Sequence, residues 1–425
     1  MQHLDISTRI KYLIFLFFTL DIFFMGSGQN YAVFGLSTRK LLFGLFCLFS
    51  AMTYFWSFNR KPILSSYLLL GLVGFILFWV VIIPLYFHGN ISYSIADALP
   101  IIAPGIYLIT DDFSNREGIW VKIRAVVFYS LLIFVALHII LYGMSLVSPQ
   151  FLDVAGEFLR LLWEPKDGTV ELFVFLTPLD NGVLRVYFGS SFLLLLGLYF
   201  SVEKYRSPIR KCSICRIAFF LLVVLALWAT NTRSLLLGAV VFIFALPLFA
   251  RAIKRIQWNF LTVTLLIAAP FFLSFMLIPT FDPQMLTNLG VAREGSDDIR
   301  ADQFWPLFEA FLASPLFGQG FGSNATLIRS EEAPYSYELS ILALFMKIGI
   351  VGFLFATAIL SISLNSSMPK KGKFFPKEIA PLYALYCSYI FSCFFNPYMF
   401  GFFGTFFSLF ILYESSFLIG SSKDD

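Results

Sequence analysis

The chain reads as an all-α, polytopic integral membrane protein with about 12 transmembrane helices and two long external loops. Hydrophobic residues make up 59% of it and charged residues only 13%, far from the balance of a soluble domain. Apolar stretches of spanning length run from end to end, and phenylalanine alone supplies 54 of the 425 residues. The 30 lysines and arginines cluster in short connections between those stretches, so the formal charge of +4 reports topology and not affinity for nucleic acid.

The elements follow in chain order. Arg9 and Lys11 precede an apolar stretch that lacks a small-residue cleavage site after Gly26, which predicts a retained first span over Tyr12–Gly26. Further spans are expected over Leu41–Phe58, Ile63–Phe87, Ser94–Ile109, Ala125–Val147, Tyr187–Val202, Ile217–Thr230, Leu235–Ala250, Gln257–Pro279, Tyr337–Ser363, Ile379–Phe395 and Tyr398–Ile419. Placing most basic residues inside puts both termini in the cytoplasm. The clusters Lys204, Arg206, Arg210, Lys211, Arg216 and Lys370, Lys371, Lys373, Lys377 then face it, while Arg39 and Lys40 dissent. No internal repeat is visible, and residues 1–425 read as a single transmembrane domain.

The two external loops, 148–186 and 280–336, are longer than an idle connection requires, and acids outnumber bases in both. In the first, Phe151, Leu152, Val154, Phe158, Leu159, Leu161 and Leu162 recur at helical spacing, as in an amphipathic helix on the membrane surface. The β-prone stretch Glu171–Tyr187 flanks Asn181-Gly182, a pair suited to a type I′ hairpin turn. In the second loop, Arg300, Phe304, Leu307 and Phe311 share one face of a helix, so Arg300 points toward protein or membrane, an argument that a break after one turn at Pro306 would weaken. An interfacial arginine that snorkels to the surface is the competing explanation.

Arg233 is the only charged residue between Ile217 and Ala250, and basic clusters flank that run. The chain must therefore cross twice in a short distance, which makes Thr230–Ser234 the tip of a tight external hairpin at or below headgroup level. A charge held there is either functional or snorkels to lipid phosphates. Glu338 at the mouth of the tenth span is a residue that favours a helix N-terminus. Tyr335 and Tyr337 beside it suit an interfacial aromatic belt. Lys347, placed on the opposite helix face from Glu338, is expected to pair with a buried acid, Asp21 or Asp97.

Three segments then follow in order: Thr230-Asn-Thr-Arg-Ser-Leu-Leu-Leu-Gly238, Arg300 through Phe304-Trp305 to Ser314-Pro-Leu-Phe-Gly-Gln-Gly-Phe-Gly322, and Tyr337-Glu-Leu-Ser-Ile-Leu-Ala-Leu-Phe-Met-Lys-Ile-Gly349-Ile-Val-Gly352. They resemble the "SRgallg", "R…w…al…sPlfGvGpG" and "hNxYLxxlxexGxxG" segments of the bacterial O-antigen ligase and polymerase family. Where the ligases carry a histidine this chain has Glu338, and its three histidines, His3, His88 and His138, all lie in the first half. The resemblance is therefore closer to the repeat-unit polymerases.

The resemblance implies a GT-C-like membrane glycosyltransferase in the bacterial inner membrane with its active site facing the periplasm. Donor and acceptor would both be glycans on undecaprenyl diphosphate, held beside membrane lipid, with a chain-length regulator and a flippase as candidate partners. Departure of a diphosphate builds negative charge, which preorganised arginines stabilise; Arg233 and Arg300 are the first candidates and Arg185 a third. Glu338 would take the proton of the acceptor hydroxyl, with Tyr335 and Tyr337 on the sugars. The alternatives are a ligase that transfers glycan to lipid A-core and, from another class, a lipid-linked oligosaccharide flippase or transporter.

Other motifs lose on inspection. Cys212-Ser-Ile-Cys215 has no second ligand pair and reads as two reduced thiols; Cys47, Cys387 and Cys393 fall in spans. Asp111-Asp112 and Asp297-Asp298 lack further ligands, so no metal or other cofactor is expected. Gly318–Gly322 has no preceding strand and no following Lys-Ser/Thr; it is expected to turn the chain back toward the membrane.

Overall fold

The computed structural model describes residues 6–24, 32–33, 36–56, 63–110, 117–147, 174–178, 184–203, 212–252, 260–277, 296–328, 331, 333–366 and 378–421. Helices occupy much of the sequence expected to span. Among the described residues, six helices are long and apolar enough to cross a membrane: Ser66–Tyr86, Ile91–Thr110, Ile119–Val147, Arg233–Ala252, Ser340–Leu364 and Phe402–Ile419. Four apolar helices are shorter, Ser191–Val202, Ser213–Ala229, Leu261–Ser274 and Ile379–Phe394. The chain is thus nearly all helical, as a polytopic membrane protein requires, because a helix satisfies its own backbone where water is absent. The expected surface helix in residues 151–162, the turn at Asn181-Gly182, the side chains of Asp297-Asp298, and Asp111-Asp112 lie outside the described structure.

The chain divides into two compact units. The first comprises Met1–Asn59, Thr110–Ala250 and Glu378–Ser388. Within it α1 (Ile6–Phe24) packs on α2 (Thr38–Trp56), with Phe15 against Phe46 and Phe18 against Phe43 at the seam. A two-stranded ribbon, β1 (Ala32–Val33) with β2 (Leu36–Ser37), connects them. Arg39, which dissented from the charge rule, is buried at the start of α2, and its Nε lies 2.7 Å from Asp21 Oδ2. A paired and buried arginine does not vote on orientation, which accounts for Arg39 but not for the exposed Lys40.

The long α7 (Glu117–Val147) packs on α1, and next in the chain comes an antiparallel hairpin, β3 (Val174–Pro178) with β4 (Leu184–Phe188), in register Thr177 to Arg185. The hairpin expected around Asn181 is therefore present, and it adds strand to a chain read as all-α. It also shortens the span expected from Tyr187: helix begins only at Ser191, in a single 3₁₀ turn that leads into α8 (Leu195–Val202). His138 is buried on α7, its Nε2 2.9 Å from Ser191 Oγ, which also accepts the Phe188 N–H. α9 (Ser213–Ala229) and α10 (Arg233–Ala252) follow, joined by a short turn. Cys212 and Cys215 are joined as a disulfide at the start of α9, which corrects the reading of two reduced thiols.

The second unit comprises Arg60–Ile109, Arg251–Lys377 and Tyr389–Asp425. It contains α3 (Ile63–Ile76), a π-helical stretch Leu77–Ile82, α4 (Ile83–Tyr86), α5 (Ile91–Ile102), most of α6 (Tyr107–Thr110), α11 (Phe260–Leu277), α12 (Ser296–Ala313), α13 (Ser340–Ser366) and α15 (Phe402–Ser421); α14 (Ile379–Phe394) begins in the first unit. Asn90 caps α5 by accepting the Ser92 N–H. Pro306 lies inside α12 without ending it, so the shared face of Arg300, Leu307 and Phe311 is kept, and Leu307 and Phe311 are buried where α12 packs on α13.

α13 is broken at Gly349, whose φ of 61° and ψ of −175° are not helical. The break frees main-chain groups on both sides, and the glycine-rich segment takes them up. Gln319 N and Gly320 N donate to the carbonyls of Met346 and Lys347, while Ile350 N and Val351 N donate to those of Pro315 and Leu316. A side chain on Gly349 would run into the Leu316 carbonyl, and one on Gly318 into that of Lys347, so close approach of two backbones requires glycine at both. Phe321 N also donates to Trp79 O in the π-helical stretch, where Ser94 Oγ donates to Val80 O. Irregular backbone is tolerated in a membrane protein where other segments cover and satisfy it. Gly318–Gly322 thus does more than reverse the chain: it fills a gap in a helix.

Candidate functional site

In the second unit, α12 presents Arg300 to Glu338, which lies two residues before α13. Arg300 Nε is 2.9 Å from Glu338 Oε2, and the two side chains are 21% and 12% exposed. The two charges are far apart in sequence and are brought together by the packing of α12 on α13 and the loop between them. The Glu338 N–H donates to Gln303 Oε1 at 2.9 Å, so one turn of α12 holds both the side chain and the backbone of Glu338. Gln303 was missed in the sequence; the only hint was its place one turn after Arg300.

Deeper in the same unit, Lys347 Nζ lies 2.7 Å from Asp97 Oδ1 and donates to the Tyr335 carbonyl at 2.9 Å. Asp97 Oδ2 accepts the Gly322 N–H at 2.8 Å, and the Lys347 ammonium sits 4.2 Å from the centre of the Phe400 ring. Of the two acids expected to partner Lys347, Asp97 does so and Asp21 belongs to Arg39. Glu338 precedes the helix and so does not share with Lys347 the two faces of one helix.

Tyr335 is half-buried against Tyr93, ring centres 5.7 Å apart, and burial, then the Asp97 charge, pushes its phenol above the ordinary range. Tyr337 is buried; its hydroxyl accepts the Ala325 N–H and donates to the Leu327 carbonyl, bracing the loop from within. Burial raises its phenol as well.

In the first unit, Arg233 is the first residue of α10, at the tip between two apolar helices where the hairpin argument put it. The turn is tight enough that Asn231 takes a φ of 43°. Arg185, on β4, donates from Nε to the Thr230 carbonyl (3.1 Å) and from an Nη to Thr232 Oγ1 (3.3 Å), and lies 4.9 Å from the centre of the Tyr187 ring. Two candidate arginines therefore meet at one tip, Arg185 bracing the turn from which Arg233 starts. A basic residue at a helix N-terminus opposes the macrodipole, so nothing in helix energetics favours Arg233 there.

Residues 218–357, less than half of the chain, match the family model described as O-antigen ligase. That stretch holds Arg233, Arg300, Glu338 and Lys347 and excludes Arg185 and Asp97. The match supports the resemblance drawn from the three motifs. No curated protein and no solved structure gives a significant match.

Proposed function

We propose that this protein polymerises oligosaccharide repeat units carried on undecaprenyl diphosphate, as a single domain of twelve spans with its site on the periplasmic face of the inner membrane. The observation that carries the reading is the Arg300–Glu338 pair, a phosphate-binding cation against a carboxylate, within a stretch that matches the O-antigen ligase model. In the reaction an acceptor hydroxyl oxygen attacks the anomeric carbon of the donor and its proton passes to Glu338. The bond from that carbon to the phosphate oxygen breaks, and undecaprenyl diphosphate leaves with the electron pair.

While the pair is closed, the guanidinium occupies a Glu338 oxygen that an acceptor proton would need to reach. A diphosphate offers Arg300 a better bidentate partner, so donor binding frees the carboxylate at the moment it is needed. Arg233, at its own helix end, is proposed as a further phosphate ligand, and Arg185 as the residue that holds its turn. Tyr335 is proposed to stack on sugar; Tyr337 supports the loop that carries it. The chemistry asks for no metal or other cofactor. A flippase that delivers units and a regulator of chain length are the expected partners.

The description of the matched family favours a second reading, transfer of finished glycan to lipid A-core. A carboxylate in place of the ligases' histidine speaks for the polymerase. Purified protein in proteoliposomes with synthetic lipid-linked units and EDTA should build a ladder; failure to extend them, or growth that EDTA abolishes, overturns the proposal. In a deletion strain, accumulation of single lipid-linked units supports the polymerase, and accumulation of lipid-linked polymer the ligase.

A further inference from the structure

Gln303 is 1% exposed, and its Oε1 accepts the Glu338 N–H at 2.9 Å. That bond fixes the orientation of the amide, because only its oxygen can accept. The other end, Nε2, has no hydrogen-bond partner among the described residues. Buried donors are ordinarily paired, so one left open beside a candidate site calls for a partner that arrives from outside. The position is suitable: Arg300 lies one turn earlier on the same helix face, and amide geometry keeps Nε2 within about 5 Å of the Glu338 nitrogen.

We propose that Gln303 orients the acceptor, its Nε2–H donating to a sugar hydroxyl next to the one that reacts while its Oε1 holds Glu338 in place. A neutral amide suits a hydroxyl, whereas the diphosphate has the charged Arg300 beside it. The partly exposed Arg300–Glu338 pair flanks the amide, and its opening by diphosphate brings the sugar within reach. The inference rests on the proposed function only in taking a lipid-linked glycan as the ligand.

The test uses the full reconstituted chain, with two probes, a synthetic undecaprenyl diphosphate-linked repeat unit and undecaprenyl diphosphate without sugar. Binding is read as ligand-induced thermal shift, alongside turnover. Q303L should bind the bare lipid as the wild type does, bind the sugar-bearing lipid about tenfold more weakly, and turn over about tenfold more slowly. Among acceptors each lacking one hydroxyl, one should lose about tenfold with wild type and nothing further with Q303L. Equal losses for both lipids, no loss for either, or no such acceptor would overturn the proposal.

If Q303L does not fold, Q303E decides, since it keeps an oxygen for the Glu338 N–H and lacks the amide donor. Its turnover relative to wild type should rise as pH falls and the new carboxyl becomes a donor; a flat ratio would overturn the role. A wild type that binds the sugar-bearing lipid without extending it counts against polymerisation, and the binding arm still measures the Gln303 contact.

Discussion

Two ion pairs in the second unit look alike in distance and differ in burial. Lys347 and Asp97 are 1% and 2% exposed, and each has further partners: the Tyr335 carbonyl and the Phe400 ring for one, the Gly322 N–H for the other. Arg300 and Glu338 meet at 2.9 Å but stay 21% and 12% exposed, and the amide beside them is half-used. A closed, fully partnered pair fixes structure; an accessible pair beside an open donor can exchange its partner for a ligand. Two charged residues in a membrane protein therefore need not both be functional, and what surrounds them separates the cases.

The largest expected effect comes from breaking the closed pair. Lys347→Met leaves Asp97 buried and uncompensated, which costs on the order of 3–5 kcal/mol. Folded protein should almost vanish from membranes, as judged by fluorescence-detected size exclusion, and the double change K347M/D97L should restore much of it. If the single change leaves a folded but inactive protein, the contrast between the pairs fails.

At the open pair the expectation is reversed. E338Q and R300K should fold as wild type by thermal unfolding yet lose the proposed polymerisation on the order of 100-fold or more, the usual contribution of a proton acceptor or a charge-stabilising donor. E338H, which introduces the residue found in the ligases, should keep part of the activity. Arg185→Lys comes next, with about tenfold slower turnover from a looser Thr230–Thr232 turn and a small change in thermal stability; equal loss from R233K would tie both to one tip.

The smallest effect concerns Tyr335. Its phenol is raised by burial and by the Asp97 charge, so the folded state holds that proton more tightly than the unfolded chain does. Stability is then complete below the ordinary phenol value of about 10 and falls as pH rises through it, and Y335F should remove part of that alkaline loss in a thermal-denaturation series.

Much of the helical frame was legible because spanning length and apolar composition are local properties, and Arg233 fell at its tip for the same reason. The Lys347–Asp97 pair was half-legible: burial demanded an acid, and topology left two. The meeting of Arg300 with Glu338 was not, since it depends on how α12 packs and no periodicity records that. Nor was the use of Gly318–Gly322, because main-chain hydrogen bonds leave only glycines behind as their sign. Cys212 and Cys215 were misread because spacing alone does not report the state of two sulfurs.

The bonds that tie Pro315–Gly320 to Met346–Val351 have a consequence for tolerated chain length. Because they run between main chains, few substitutions short of proline at a donor or a side chain on Gly318 or Gly349 remove them, but a single inserted residue between 315 and 320 or between 346 and 351 would shift their register. An insertion at Asn324 or Glu331, both exposed and both outside the bonded segments, would leave that register intact. Between α12 and α13 these bonds therefore fix the length of the first segment, and variation in loop length has room only beyond it.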